Sequence, residues 1–111
     1  MSWGRDNRTC GIRVIGAGTG LRLEHRVPGA DVNQYLAVAA IIAAGVYGIE
    51  NKVELEPETR GNAYESSAPR IPLTLRDARD TFSGSARVRT LLGDEVVEHY
   101  AHHRLGEDAR I

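Results

Sequence analysis

The chain has 111 residues, which is one domain at most or a piece of one. Fourteen basic residues against fifteen acidic ones leave a formal net charge of −1, which excludes a polybasic nucleic-acid or membrane-surface binder as the default reading. With 41% apolar and 26% charged residues the composition is that of a soluble globular chain, and wholesale disorder is not expected.

The first segment, Met1 to Arg8, is polar and lacks the apolar core of a signal peptide. Thr9 to Ile15 and Leu21 to Val27 read as two antiparallel strands joined by Gly16-Ala17-Gly18-Thr19-Gly20. A dinucleotide-binding loop competes for those glycines, but it needs G-x-G-x-x-G opening a helix. Here the spacing is G-x-G-x-G and the residues that follow alternate like a strand, which favours the hairpin. Asp31 is a candidate N-cap, with Gln34 as capping-box partner, for a helix over about Val32 to Glu50. Its apolar run, Tyr35 to Tyr47, is shorter than the roughly 20 residues a membrane span needs, so a buried helix is expected. That helix is apolar on nearly every face and must be covered all round, for which the rest of the chain offers little. The isolated chain is therefore expected to oligomerise or to pack loosely. Asn51 to Pro72 reads as a mobile connector. Thr74 caps a helix through about Ser83, Ser85 opens another to Leu92, Gly93 breaks it, and Asp94 caps a last helix from Glu95 to Arg104 or beyond. The fold class is α+β: an antiparallel hairpin, a buried helix and C-terminal helices.

The charge is uneven. Residues 1–26 hold five arginines against Asp6 and Glu24, a net of +3, and nine basic against thirteen acidic residues leave the remainder at −4. An anionic ligand is best sought at the basic end. Arg22, Glu24 and Arg26 fall at i, i+2 and i+4, so on a strand they share a face, with Leu21, Leu23 and His25 on the other. Such a row is either a surface ion-pair ladder or a site for phosphate and a metal ion. Arginine forks match phosphate and carboxylate oxygens, and a carboxylate binds hard divalent cations. Arg13 on the paired strand and Arg8 before it add donors. They differ in parity, so both face one site only if Arg8 lies outside the regular strand.

Asn7-Arg8-Thr9, Ile12-Arg13-Val14, Arg22-Leu23-Glu24-His25-Arg26 and Pro28 through Ala37, in that order, resemble the late part of the catalytic domain of the glutamine synthetase family. The alanine-rich helix ending at Gly48-Ile49 and the tail from Pro72 to Tyr100 continue the resemblance over nearly the whole chain. It implies ATP-dependent phosphorylation of the glutamate γ-carboxylate, then attack on the γ-glutamyl phosphate by ammonia or an amine. It implies ATP and Mg2+ or Mn2+ as cofactors, and like subunits in a homo-oligomer of double rings. By motif, Arg8 would contact the transferring phosphate, Arg13 and Arg22 would lie at the nucleotide and its phosphates, Glu24 would ligate the metal, and Arg26 would hold the glutamate carboxylate. Moving so charged a group rests mostly on positioning and charge neutralisation.

Gln34 stands where the family usually has proline. Trp3-Gly4 and Leu91-Leu92-Gly93-Asp94 are nearer to members with other amine acceptors. The family's catalytic domain is far longer and follows a β-grasp domain, and its other metal carboxylates precede this stretch. The resemblance thus implies a C-terminal segment, residues 1–111, that needs the rest of the catalytic domain and is inactive alone. The alternative is a truncated, non-catalytic module that binds anions or associates with full-length subunits; a third reading is a decayed remnant. Nucleic acid and membranes are not expected partners.

Other candidates carry blander readings. His99 and His103 share a helix face with Glu95, with His102 beside them, but a solvated face is expected rather than a metal site. His25 is expected under the hairpin, and Tyr64 in an ordinary loop. Asp77, Asp80, Arg76 and Arg79 read as an exposed charged face. Cys10, the lone cysteine, can form neither an internal disulfide nor a Cys-rich zinc site; it reads as a small core residue and favours a cytoplasmic setting.

Overall fold

The computed structural model describes residues 1–108, with side chains through His102. Three strands form a mixed sheet in the order β1 (Trp3–Arg5), β2 (Ile12–Ile15), β3 (Arg22–His25). Four helices follow: α1 (Gln34–Glu50), α2 (Leu75–Gly84), α3 (Ala86–Leu92) and α4 (Asp94–Asp108). This is the expected α+β class. Two compact units result, Met1–Ala37 with Lys52–Arg70 and Val38–Asn51 with Ile71–Ile111.

In the first unit β2 and β3 form the expected antiparallel hairpin, with Ile12 opposite His25, Arg13 opposite Glu24 and Ile15 opposite Arg22. Its loop tightens into a 3₁₀ turn at Gly18–Gly20. Gly16 there has φ +80, and a Cβ would meet the Gly20 carbonyl oxygen at 2.3 Å, so both conformation and space require glycine.

Strand β1 is new to the sequence reading. Trp3-Gly4-Arg5 is too short to show a period. It lies parallel to β2, with Trp3 beside Ile12 and Arg5 beside Val14. Parallel neighbours usually need a crossover of a dozen residues or more. Three residues span only about 10 Å, so the six from Asp6 to Gly11 suffice to double back. Asp6 turns the chain at φ +48 while its amide still bonds the Val14 carbonyl at 2.9 Å.

The open edge of β1 is occupied by part of the connector. The Thr59 amide donates to the Trp3 carbonyl at 2.9 Å, and the Arg5 amide donates to Glu58 Oε1 at 3.1 Å. The Trp3 indole N–H reaches the Glu56 carbonyl at 2.6 Å. Edge strands left bare invite foreign strands, and this segment satisfies those groups. Gly4 makes the approach possible: a Cβ there would lie 2.8 Å from the Thr59 carbonyl oxygen. The mobile connector therefore contains an anchored stretch, Glu56 to Ala63. Cys10 is buried beside it, 2% exposed, as the small core residue expected.

Helix α1 begins later than expected, and its cap is Asn33 rather than Asp31. Asn33 Oδ1 accepts from the Leu36 amide at 3.1 Å, and the Asn33 carbonyl accepts from the Ala37 amide at 2.9 Å. Gln34 is then the first helical residue, the position where proline is best tolerated because its missing N–H is not needed. A buried helix is not what this chain contains: no α1 residue is buried, and Tyr35 and Ile49 are 91% and 79% exposed. The lack of cover foreseen from composition is thus the observed state of this chain.

In the second unit α4 packs on α2 and α3. Val97 and Ala101, one turn apart, form the buried stripe. Two caps are those expected: Thr74 Oγ1 accepts from the Asp77 amide at 3.1 Å and Ser85 Oγ accepts from the Val88 amide at 3.2 Å, while Gly93 breaks α3 at φ +87. The expected cap of the last helix is Asp94, but the Gly93 carbonyl accepts from the Val97 amide at 3.2 Å, so Gly93 holds the cap position and Asp94 is the first helical residue. Arg89 joins the helix ends, donating to the Ser83 carbonyl at 2.8 Å, Asp94 at 3.2 Å and Glu98 at 2.7 Å. The Arg87 guanidinium lies 4.7 Å from the centre of the Tyr47 ring. No helix among the described residues is long and apolar enough to cross a membrane.

Candidate active site

The cross-strand register decides which charged groups meet. Arg13 lies directly opposite Glu24, so their side chains leave one face of the sheet. Glu24 Oε2 accepts from Arg13 Nη1 and from Arg26 Nη1, each at 3.2 Å. Arg13 also holds Asp6, through Nε at 3.1 Å and through Nη2 in a closer contact. The result is a row, Asp6, Arg13, Glu24, Arg26, of alternating charge. Arg13 is the least exposed member, its side chain 15% accessible. Hydrogen bonds from Arg13 and then Arg26 hold the Glu24 carboxyl below its ordinary range. Asp6 is lowered chiefly by its hydrogen bond and charge contact with Arg13, and further by the nearby charge of Arg8.

Sequence parity set a condition for Arg8, and it is met: β2 starts at Ile12, and Arg8 sits in the preceding turn. Arg8 is exposed and makes no hydrogen bond or salt bridge among the described residues. It lines an open cleft of about 530 Å³ together with Arg5, Glu58 and Arg60. Arg22 shares the Glu24 face at the end of the strand, where one fork nitrogen donates to the Gly20 carbonyl at 3.1 Å. The structure thus joins Arg13, Glu24 and Arg26 in one network, sets Arg22 beside it on the same face, and leaves Arg8 at the cleft.

Two residues escaped the sequence reading. Asp6 was counted only as a charge, although it lies seven residues before its partner Arg13. Asn7 was quoted only as the start of a motif, yet its carboxamide uses donors and acceptors alike. Nδ2 donates to the Thr59 carbonyl at 3.2 Å and the Gly61 carbonyl at 2.8 Å. Oδ1 accepts from the Thr9 amide at 3.0 Å and the Thr9 hydroxyl at 2.7 Å. A strand-based reading has no means of finding a partner more than fifty residues away.

Residues 1–111 match the family model described as glutamine synthetase, catalytic domain. The chain belongs to the glutamine synthetase family. It is 50% identical over 100 residues to a γ-glutamylethanolamide synthetase of Streptomyces coelicolor, covering 90% of this chain and 22% of that protein. It is 44% identical to a glutamate–isopropylamine ligase of a Pseudomonas species, over 96% of this chain and 24% of the relative. A glutamine synthetase of Methanosarcina mazei is 35% identical over 90% of this chain and 24% of its own length. The chain therefore spans about a quarter or less of these curated relatives.

A divalent cation of this family's chemistry can be tested against the donors present. Both arginine contacts fall on Glu24 Oε2, and no hydrogen bond to Oε1 exists among the described residues. A small hard cation is commonly held by one or two carboxylates, with waters and substrate phosphates completing the shell. Glu24 fits as one such ligand. No cluster of three acidic, histidine or cysteine side chains occurs among the described residues, so these supply no closed cage. On α4, His99 and His102 are exposed, and the His103 side chain lies outside the described residues. Nδ1 of His25 is buried without a hydrogen-bond partner among the described residues, on the opposite face of the sheet from Glu24. Tyr64 is exposed in a short 3₁₀ turn, as a loop residue should be.

Proposed function

We propose that this chain forms the C-terminal part of an ATP-dependent ligase that joins the glutamate γ-carboxylate to ammonia or an amine through γ-glutamyl phosphate. The observation that carries the reading is Glu24, held at one oxygen by Arg13 and Arg26 at 3.2 Å each, inside a segment matched by the family. The arginines keep Glu24 ionised, as a cation ligand must be. Arg26 then has spare donors for the carboxylate of glutamate. Arg13 commits three of its five donors to Asp6 and Glu24, which leaves one hydrogen on each terminal nitrogen for a phosphate oxygen. Arg22 lies at the nucleotide, and Arg8, which makes no hydrogen bond or salt bridge among the described residues, contacts the transferring phosphoryl group. Mg2+ or Mn2+ on Glu24 would supply charge neutralisation for the phosphates. The two amine-ligase relatives at 50% and 44% identity favour an amine as acceptor. A reducing, cytoplasmic setting accords with the unpaired Cys10.

In the intact ligase, Arg26→Gln is expected to raise the glutamate KM by about two orders of magnitude, the loss of a charge-assisted bidentate contact. An unchanged KM refutes the assignment. The 111-residue chain alone is expected to form no γ-glutamyl phosphate in a single-turnover assay. The exposed apolar α1 favours a second reading, a module that associates with full-length subunits. A sharp monomer peak in sedimentation counts against it.

A further inference from the structure

Arg8 makes no hydrogen bond or salt bridge among the described residues, yet its turn is tied on both sides. All the ties run through its neighbours. Asn7 spends both amide hydrogens on the Thr59 and Gly61 carbonyls, at 3.2 and 2.8 Å. Its oxygen takes both the amide and the hydroxyl of Thr9. Thr9 Oγ1 in turn accepts from the Ala63 amide at 2.8 Å. Two residues flanking Arg8 thus hold the segment that carries Glu58 and Arg60. The cleft of about 530 Å³ lies between that segment and the Arg8 turn. Arg5, Arg8 and Arg60 bring three cations to it. Glu58 is engaged by the Arg5 amide and, at 3.8 Å, by Arg60, and Asp6 is engaged by Arg13. The cleft is therefore left with an excess of positive charge.

We propose that Asn7 is a positioning residue for Arg8. Its carboxamide clamps the Arg8 turn to the Thr59–Gly61 segment and so shapes a cleft for a chain of phosphates. Thr9 completes the clamp through Ala63. The inference rests on the ligase reading in one respect, that Arg8 contacts phosphate. The physical reason for asparagine is its pairing of two donors with two acceptors on one planar group. Leucine keeps the volume and loses all four contacts. Two carbonyls would then be left without that donor, which favours opening of the segment.

The test uses this chain, inorganic pyrophosphate as probe, and amide hydrogen exchange. Asn7→Leu is expected to weaken pyrophosphate binding about tenfold and to speed exchange at the Ala63 amide by a similar factor. The Arg26 amide, bonded to the Gly11 carbonyl at 2.8 Å, reports on the sheet and stays protected. Thr9→Val shifts both readouts in the same direction without changing charge, and Thr9→Ser restores both. Arg8→Gln loses binding but keeps Ala63 protected. If Asn7→Leu frees Ala63 and still binds pyrophosphate like the wild type, the clamp does not position Arg8 and the inference falls, with the ligase reading intact. If Arg8→Gln binds as well as the wild type, or the wild type does not bind at all, the phosphate role of Arg8 fails and takes the inference with it. Should Asn7→Leu also expose the Arg26 amide, the Thr9 pair decides: equal binding by the valine and serine variants overturns the proposal.

Discussion

The two units of this chain hold their shapes by different means. In Met1–Ala37 with Lys52–Arg70, order comes from directional polar contacts. The Asn7 carboxamide, the Trp3 indole, the Thr9 hydroxyl and the Arg13 fork each bind a specific partner, and Cys10 is the buried apolar residue. In Val38–Asn51 with Ile71–Ile111, α2 and α3, started by Thr74 and Ser85, close with α4 over Val97 and Ala101, and Arg89 ties their ends. Directional contacts fix the arginines at set spacings along one face. Side chains gripping one another's forks cannot slide as apolar surfaces can. Packing over a buried stripe suits α2, α3 and α4, which cover one another.

The sharpest way to break the comparison is Val97→Asp. A carboxylate at a site with no exposure is expected to cost more than about 3 kcal/mol and to melt α2, α3 and α4. Amide resonances of the sheet are expected to persist; their joint loss would show that the two units are not separately held. Next in size is Gly16→Val. A β-branched residue at φ +80, with its Cβ 2.3 Å from a carbonyl oxygen, is expected to destabilise the hairpin by about 1–3 kcal/mol in denaturant titration. Wild-type stability in that variant would refute the stated need for glycine. Thr74→Ala is expected to cost about 1 kcal/mol, felt in the helical unit, because the Asp77 amide loses its cap.

The smallest effect distinguishes the sheet by acid. Arg13 and Arg26 lower the Glu24 carboxyl, and Arg13 lowers Asp6. Depressed folded-state values mean that this contribution is complete above the ordinary carboxylate range. It is lost as pH falls through the lowered values. Carboxyl NMR titration should therefore place both groups below their ordinary midpoints, and the sheet should loosen there. These pairs are partly solvated, so salt weakens them as well. A Glu24 midpoint at or above the ordinary value contradicts the ladder.

The elements that declared themselves in the sequence are those governed by neighbours. The alternation of Leu21 to Arg26, the glycines of the hairpin loop and the caps at Thr74 and Ser85 act over a few residues, and each stands where its pattern implied. The shared face of Arg22, Glu24 and Arg26 followed from strand periodicity alone. The pairing of Glu24 with Arg13 needed the register, since a slip by one residue would have turned Arg13 to the opposite face. The helix start at Gln34 was missed because Asp31 and Asn33 are both good caps, and the geometry of the entering turn chose between them.

Composition also foretold that α1 would lack cover, because apolar surface is additive and can be counted without coordinates. The parallel strand β1, the anchored Glu56–Ala63 segment and the Asn7 clamp were not legible. Each joins groups more than fifty residues apart or rests on a three-residue strand with no period. Local chemistry thus determined the hairpin, the helices, the shared face of Arg22, Glu24 and Arg26, and the family pattern. Tertiary structure alone decided which arginines hold Glu24, which line the cleft, and what closes the edge of the sheet. Those choices depend on where a returning chain places its carbonyls, and no spacing within a motif encodes that.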